Sequence, residues 1–111
     1  MRYFIIMPVP KTKQQETAVY EARMDAIHKI KAEGHSVAYT VFEGDWWSEE
    51  KLKDRGVLNT NMHYFAKMIE EMSKCDGVYI RHDLQDLGFK YSELELLLEC
   101  AVQFSMHIWR E

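Results

Sequence analysis

Lys11, Lys13 and Arg81 are the side chains of this sequence whose type and placement suit a phosphate. Lys11 and Lys13 fall in a polar stretch between an apolar run and an amphipathic segment. Main-chain N–H groups and a helix N-terminus can add to their anion affinity there. Arg81 ends another apolar run, on the same edge of the sheet that the order of elements implies. Trp46 and Trp47 follow a further β-type run. An indole stacked on a base contributes about 1–3 kcal/mol in single-stranded nucleic-acid systems. Asp83 and Asp86 lie in a polar loop, where Asp is also a turn former, and His82 beside them is a residue type that can do acid–base work. Each residue also has a plainer role: exposed lysines are commonly only solvated, and a Trp can pack beneath its own loop. No His, Cys or carboxylate spacing matches a zinc or EF-hand site, and there is no Gly-rich phosphate loop. No metal and no cofactor is expected.

The elements that must position these residues read as alternating strands and helices. Residues 3–7 (YFIIM) form a continuous apolar run that suits a strand covered on both faces, and Pro8 and Pro10 end it. Residues 16–33 follow helical spacing, with Met24, Ile27 and Ile30 expected to face the sheet and Gly34 as the stop. Residues 36–42 (SVAYTVF) are β-branched and aromatic. A long polar connection follows, with a short helical turn at 48–54. Residues 61–74 are helical, with Phe65, Met68, Ile69 and Met72 on one face. Residues 76–81 form the third strand, 92–104 an apolar helix and 106–109 the last strand.

The order βαβαβαβ predicts one Rossmann-like α/β domain over residues 1–111, with a parallel sheet of four strands and helices on both faces. Ligands of such sheets bind beyond the carboxyl ends of the strands. Residues 8–15, 42–47 and 81–88 and the helix N-termini converge there, which brings Pro8 into the expected site.

Composition narrows the function. The chain has 111 residues, is 47% hydrophobic and 29% charged, and carries a net charge of -4. An acidic balance argues against a non-specific binder of DNA or RNA polymers. The first apolar run is too short for a signal sequence or a membrane span. The expectation is therefore a cytoplasmic protein with no membrane partner. Cys75 and Cys100 have no metal spacing and are expected as reduced, buried thiols. A sheet of four strands has two edges to protect, so a homo-oligomer is expected.

Taken together, the sequence resembles the nucleoside 2-deoxyribosyltransferase-like superfamily, which includes deoxynucleoside 5'-monophosphate N-glycosidases and small phage-borne relatives. The carriers are Ile5-Ile6-Met7-Pro8-Val9, the helix end at Gly34-His35, and Cys75-Asp76 running into Gly77-Val78-Tyr79-Ile80. A final apolar helix and a short strand complete the set. The resemblance implies a nucleoside-type pocket and cleavage or transfer at an N-glycosidic bond. A glutamate there attacks the anomeric carbon through an oxocarbenium-like transition state, and an aspartate assists.

Counted from Asp76, the implied nucleophile is Glu93; counted back from the last strand, it is Leu97. Glu93 also suits the first turn of a helix electrostatically, and Ser92 with Glu95 reads as a capping box. Met68-Ile69 stand where the family carries Asp-Leu, and Leu87 and Phe89 where it carries Ser-x-Gly. Asp83 and Asp86 are the candidates to replace the missing aspartate. Two functions follow. One is a nucleotide-binding protein that keeps the pocket without the chemistry and sequesters a signalling nucleotide. The alternative is an enzyme that cleaves or transfers the N-glycosidic bond of a nucleoside or its monophosphate, with Glu93 as nucleophile.

Overall fold

The computed structural model describes residues 1–38 and 49–111. The elements run β1 (Arg2–Ile5), α1 (Lys13–Ala32), β2 (Ser36–Val37), α2 (Glu49–Asp54), α3 (Thr60–Met72), β3 (Gly77–Ile80), α4 (Tyr91–Gln103) and β4 (His107–Arg110). The strands form one all-parallel sheet in the order β2-β1-β3-β4. A parallel neighbour requires a crossover, and the helices supply it. With right-handed crossovers, the step from β1 out to β2 puts α1 on one face. The two steps the other way put α3 and α4 on the opposite face.

The central strands are apolar on both sides because both sides are covered. Tyr3 to Met7 and Val78 to Ile80 are all buried, as the continuous apolar runs predict. Against them lie Ala26 and Ile30 of α1, Met68 and Met72 of α3, and Leu97 and Ala101 of α4. Full burial of a side chain such as Leu97 contributes about 2 kcal/mol.

Several local expectations are revised. The buried stripe of α1 is Val19, Ala22, Ala26 and Ile30, not Met24 and Ile27, which are half-buried. The small alanines let α1 approach the sheet, so close packing outweighs the pull of the larger side chains. Thr12 caps α1 by accepting from the Gln15 amide, and Gly34 follows the end of the helix at φ +82°. Ser92 and Glu95 form no capping box: α4 begins one residue before Ser92, with Lys90 at the cap and no side-chain cap bond. A serine already inside the first turn cannot take the extended cap conformation. In α3, Asn59 is the cap, and the buried face is Thr60, Tyr64, Met68 and Met72, with Phe65 and Ile69 half-buried beside it. Both cysteines are free and half-buried, and burial pushes the Cys75 thiol up. No described helix is long and apolar enough to cross a membrane.

Candidate functional site

The loops after β1 and β3 meet at the carboxyl edge of the sheet, and Gln15 ties them together. Its Oε1 accepts from the Lys11 amide at 2.8 Å, and its Nε2 donates to the Leu87 carbonyl at 3.2 Å. The β3–α4 loop closes in a helical turn, with the Gly88 amide on the Gln85 carbonyl and the Phe89 amide on that of Leu84. This pattern needs a left-handed residue, and Gly88 has φ +99°. A Cβ on Gly88 would lie 2.6 Å from Gln15 Nε2. The dihedral therefore calls for glycine, and a side chain there would also push the Gln15 amide out of its tie.

Between these loops, α3 and the first turn of α4 lies a cleft of about 70 Å³. Pro8, Val9 and Lys11 form one wall, Asn61, Tyr64, Phe65 and Met68 a second, and Gly88, Phe89, Lys90 and Glu93 the third. Its depth is apolar and aromatic, since Tyr64, Met68 and Phe89 are buried. Burial, with Glu49 nearby, pushes the Tyr64 phenol up. Lys11 and Lys90 are exposed at the rim. Among the described residues, Lys11, Lys90 and Glu93 make no ion pair. Two lysines and a glutamate thus line one concavity, and among the described residues none of the three is spent on an ion pair.

Pro8, Lys11 and Glu93 come together here. Lys13 opens α1 and is exposed outside the cleft lining. Trp46 and Trp47 lie outside the described residues. Asp86 is exposed and borders a separate shallow depression beside Thr12 and Gln15.

Arg81 and Asp83 belong to a different cluster, on the α1 side of the sheet. Arg81 Nε and Nη2 donate to the two carboxylate oxygens of Asp83 at 2.8 and 3.0 Å. Its Nη1 donates to Asp25 Oδ2 at 2.6 Å and to the Ala22 carbonyl at 3.2 Å. Its side chain is only 9% exposed. Glu111 joins through the Tyr79 hydroxyl, His82 Nδ1 at 2.7 Å and Lys29 at 3.4 Å. Hydrogen bonds from Arg81 hold Asp83 and Asp25 below their ordinary range. Burial pushes the Glu111 carboxyl up, but bonds from Tyr79 and His82 together with the Arg81 and Lys29 charges leave it below its ordinary range. Burial and the adjacent Glu111 raise the Tyr79 phenol. Arg81 and Asp83 therefore satisfy each other, and neither lines the cleft.

The sequence reading passed over Asn61, Tyr64, Phe89 and Lys90. Lys90 had a legible signal, two residues after Gly88 and just before a helix. The α3 residues had none beyond helical periodicity, which does not distinguish a core wall from a cleft wall. Among the described residues, no group of three or more His, Cys, Asp or Glu is placed to hold a metal ion. No protein-family model, curated protein or solved structure matches the chain.

Proposed function

We propose that the chain binds a nucleotide at the cleft between the β1–α1 loop, α3 and the start of α4, and does so without turning it over. The observation that carries this reading is the set of unspent charges, Lys11, Lys90 and Glu93, around an aromatic hollow at the carboxyl edge of a parallel sheet. Ligands of this fold class bind at that edge. The two ammonium groups suit a phosphate, Phe65 and Phe89 suit a base or sugar face, and the Glu93 carboxylate suits ribose hydroxyls. The enclosed space takes part of a nucleotide, so the remainder extends past the rim.

Absence of turnover follows from the chemistry of the lining. Among the described residues Glu93 is the one carboxylate in it, and Met68, buried on the facing helix, neither carries charge nor accepts a useful hydrogen bond. Tight binding without turnover is what sequestration of a signalling nucleotide would need.

The enzyme reading is favoured by one specific observation: Glu93 lines the cleft from the first turn of α4. There a carboxylate could stabilise or attack an oxocarbenium-like centre. Incubation with a panel of nucleosides and their mono- and polyphosphates, followed by mass spectrometry of bound and released species, separates the two. Intact nucleotide in the protein fraction is the expected result. Free base accumulating over many turnovers would establish the enzyme instead. No bound species and no product across the panel would overturn both.

A further inference from the structure

The sheet ends in β4, which is paired on its inner side with β3. The His107 and Glu111 amides donate inward to the Asp76 and Ile80 carbonyls, each at 3.0 Å. Strand alternation then turns the N–H and C=O groups of Ile108 and Arg110 outward, where no described strand lies. An open edge of this kind is a template for another strand. The segment His107-Ile108-Trp109-Arg110 carries no proline, and its register with β3 is unbroken by a bulge.

The face beside this edge is also partly bare. The helix α1 packs over β1 and β2, while Trp109 stands half-exposed against Tyr3 and Tyr79, at ring separations of 5.4 and 5.0 Å. It lines an open groove of about 430 Å³ with Tyr3, His35 and His107.

We infer that this edge is a homodimer interface, in which β4 of two copies pair antiparallel about a two-fold axis at Trp109. In that register Ile108 lies opposite Arg110 of the second copy, and the outward main-chain groups of both residues bond reciprocally. Trp109 meets its own counterpart as a non-hydrogen-bonded pair, with Cα atoms about 4.5 Å apart. His107 comes opposite Glu111 of the second copy. These two lie on the Trp109 face, as their contacts with Tyr3 and Tyr79 require. His107 Nδ1 is held by the Tyr3 hydroxyl at 2.7 Å, so its other ring nitrogen is the one that can meet the Glu111 carboxylate.

The occupant is a second copy because the strand complements itself in this register. Sliding it to oppose Arg110 with Arg110 sets like charges against each other, which destabilises a strand pair. Sliding it to oppose Ile108 with Ile108 carries Glu111 past His107. The dimer extends the sheet and covers both copies of Trp109.

Sedimentation equilibrium across a concentration series, run with amide hydrogen exchange, tests this on the full chain. Wild type is expected to dimerise, and the Ile108 and Arg110 amides to exchange more slowly as the dimer fills. Arg110→Pro removes an outward donor without breaking a bond to β3, and proline is tolerated on such an edge. That variant is expected to be monomeric with its circular dichroism unchanged, while Arg110→Ala, which keeps the donor, remains dimeric. A misfolded Arg110→Pro leaves the decision to amide exchange in wild type. A monomeric wild type overturns the inference. So does a dimer that survives in folded Arg110→Pro, or one whose Ile108 and Arg110 amides stay unprotected.

Discussion

Two groups of charged side chains stand at the carboxyl edge of the sheet, on opposite faces. On the α1 face, Arg81 is enclosed by Asp83, Asp25, Glu111 and the Ala22 carbonyl. On the other face, Lys11, Lys90 and Glu93 border a cleft and make no ion pair among the described residues. Both groups mix cations with carboxylates near loop ends. The first uses its charges on itself, so its contribution is to the fold. The second leaves them facing a hollow, where a ligand can complete them. Residue type alone does not divide structural from ligand-directed charge; the presence of an internal partner does.

The sharpest way to break this comparison is Arg81→Ala. Arg81 is nearly buried while Asp83 and Asp25 are partly exposed, so losing its charge-assisted hydrogen bonds costs about 1.5–3 kcal/mol. Denaturant unfolding should show a loss of that order. Weakened phosphate binding at unchanged stability would instead make Arg81 a ligand contact.

Acid should separate the two groups next. Asp83, Asp25 and Glu111 have carboxyls lowered in the folded state. Folding stability from them is fully present above the unfolded carboxylate range and is lost as pH falls through and below that range. Thermal melts from neutral pH downward should show the midpoint falling over this window. In Arg81→Ala the fall should be shallower. An equal slope in both proteins would deny the cluster its role.

The cleft lysines should behave in the opposite way. Lys11→Gln and Lys90→Gln are each expected to change stability by no more than about 0.5 kcal/mol, as surface substitutions do. Each should weaken a nucleoside monophosphate by about tenfold, the loss of one charge-assisted hydrogen bond. The parent nucleoside should be little affected, and calorimetric titration of the pair reads the difference. Equal losses for nucleotide and nucleoside would count against a phosphate at the rim.

Glu93→Gln should have the smallest effect on the fold, a few tenths of a kcal/mol from the helix dipole. Nucleotide retention should persist in the variant, and wild type should release no base. Release by wild type that the variant abolishes would turn the site into an enzyme's.

The parallel sheet was legible in advance because its signal is local. Residues 3–7 read as a doubly covered strand from apolar content and 76–81 as a further strand, and Gly34 marked a helix end from its own conformational freedom. Lys11 and the helix N-termini were placed near a common mouth by element order, which is a topological rule and needs no coordinates, whereas Glu93 was named only by the resemblance, counted from Asp76. Arg81 was the instructive miss. Its position at the end of a strand was right, but Asp25 lies 56 residues away and Glu111 a further 30 from Arg81 in the other direction, and no local pattern links them. The capping box failed for a related reason: Ser92 and Glu95 have the right spacing, but where α4 begins depends on how the Gly88 turn delivers the chain.

The sequence by itself thus determined the helices, the strands and their alternation, because each rests on short-range sterics and on the burial period of a few consecutive residues. Of the strand expected over 36–42, only Ser36–Val37 forms β2, Ala38 lies past its end and residues 39–42 lie outside the described residues. Which charges find partners was decided only by tertiary structure. An ion pair forms across whatever distance folding closes, and Coulomb attraction between side chains depends on separation in space, not along the chain.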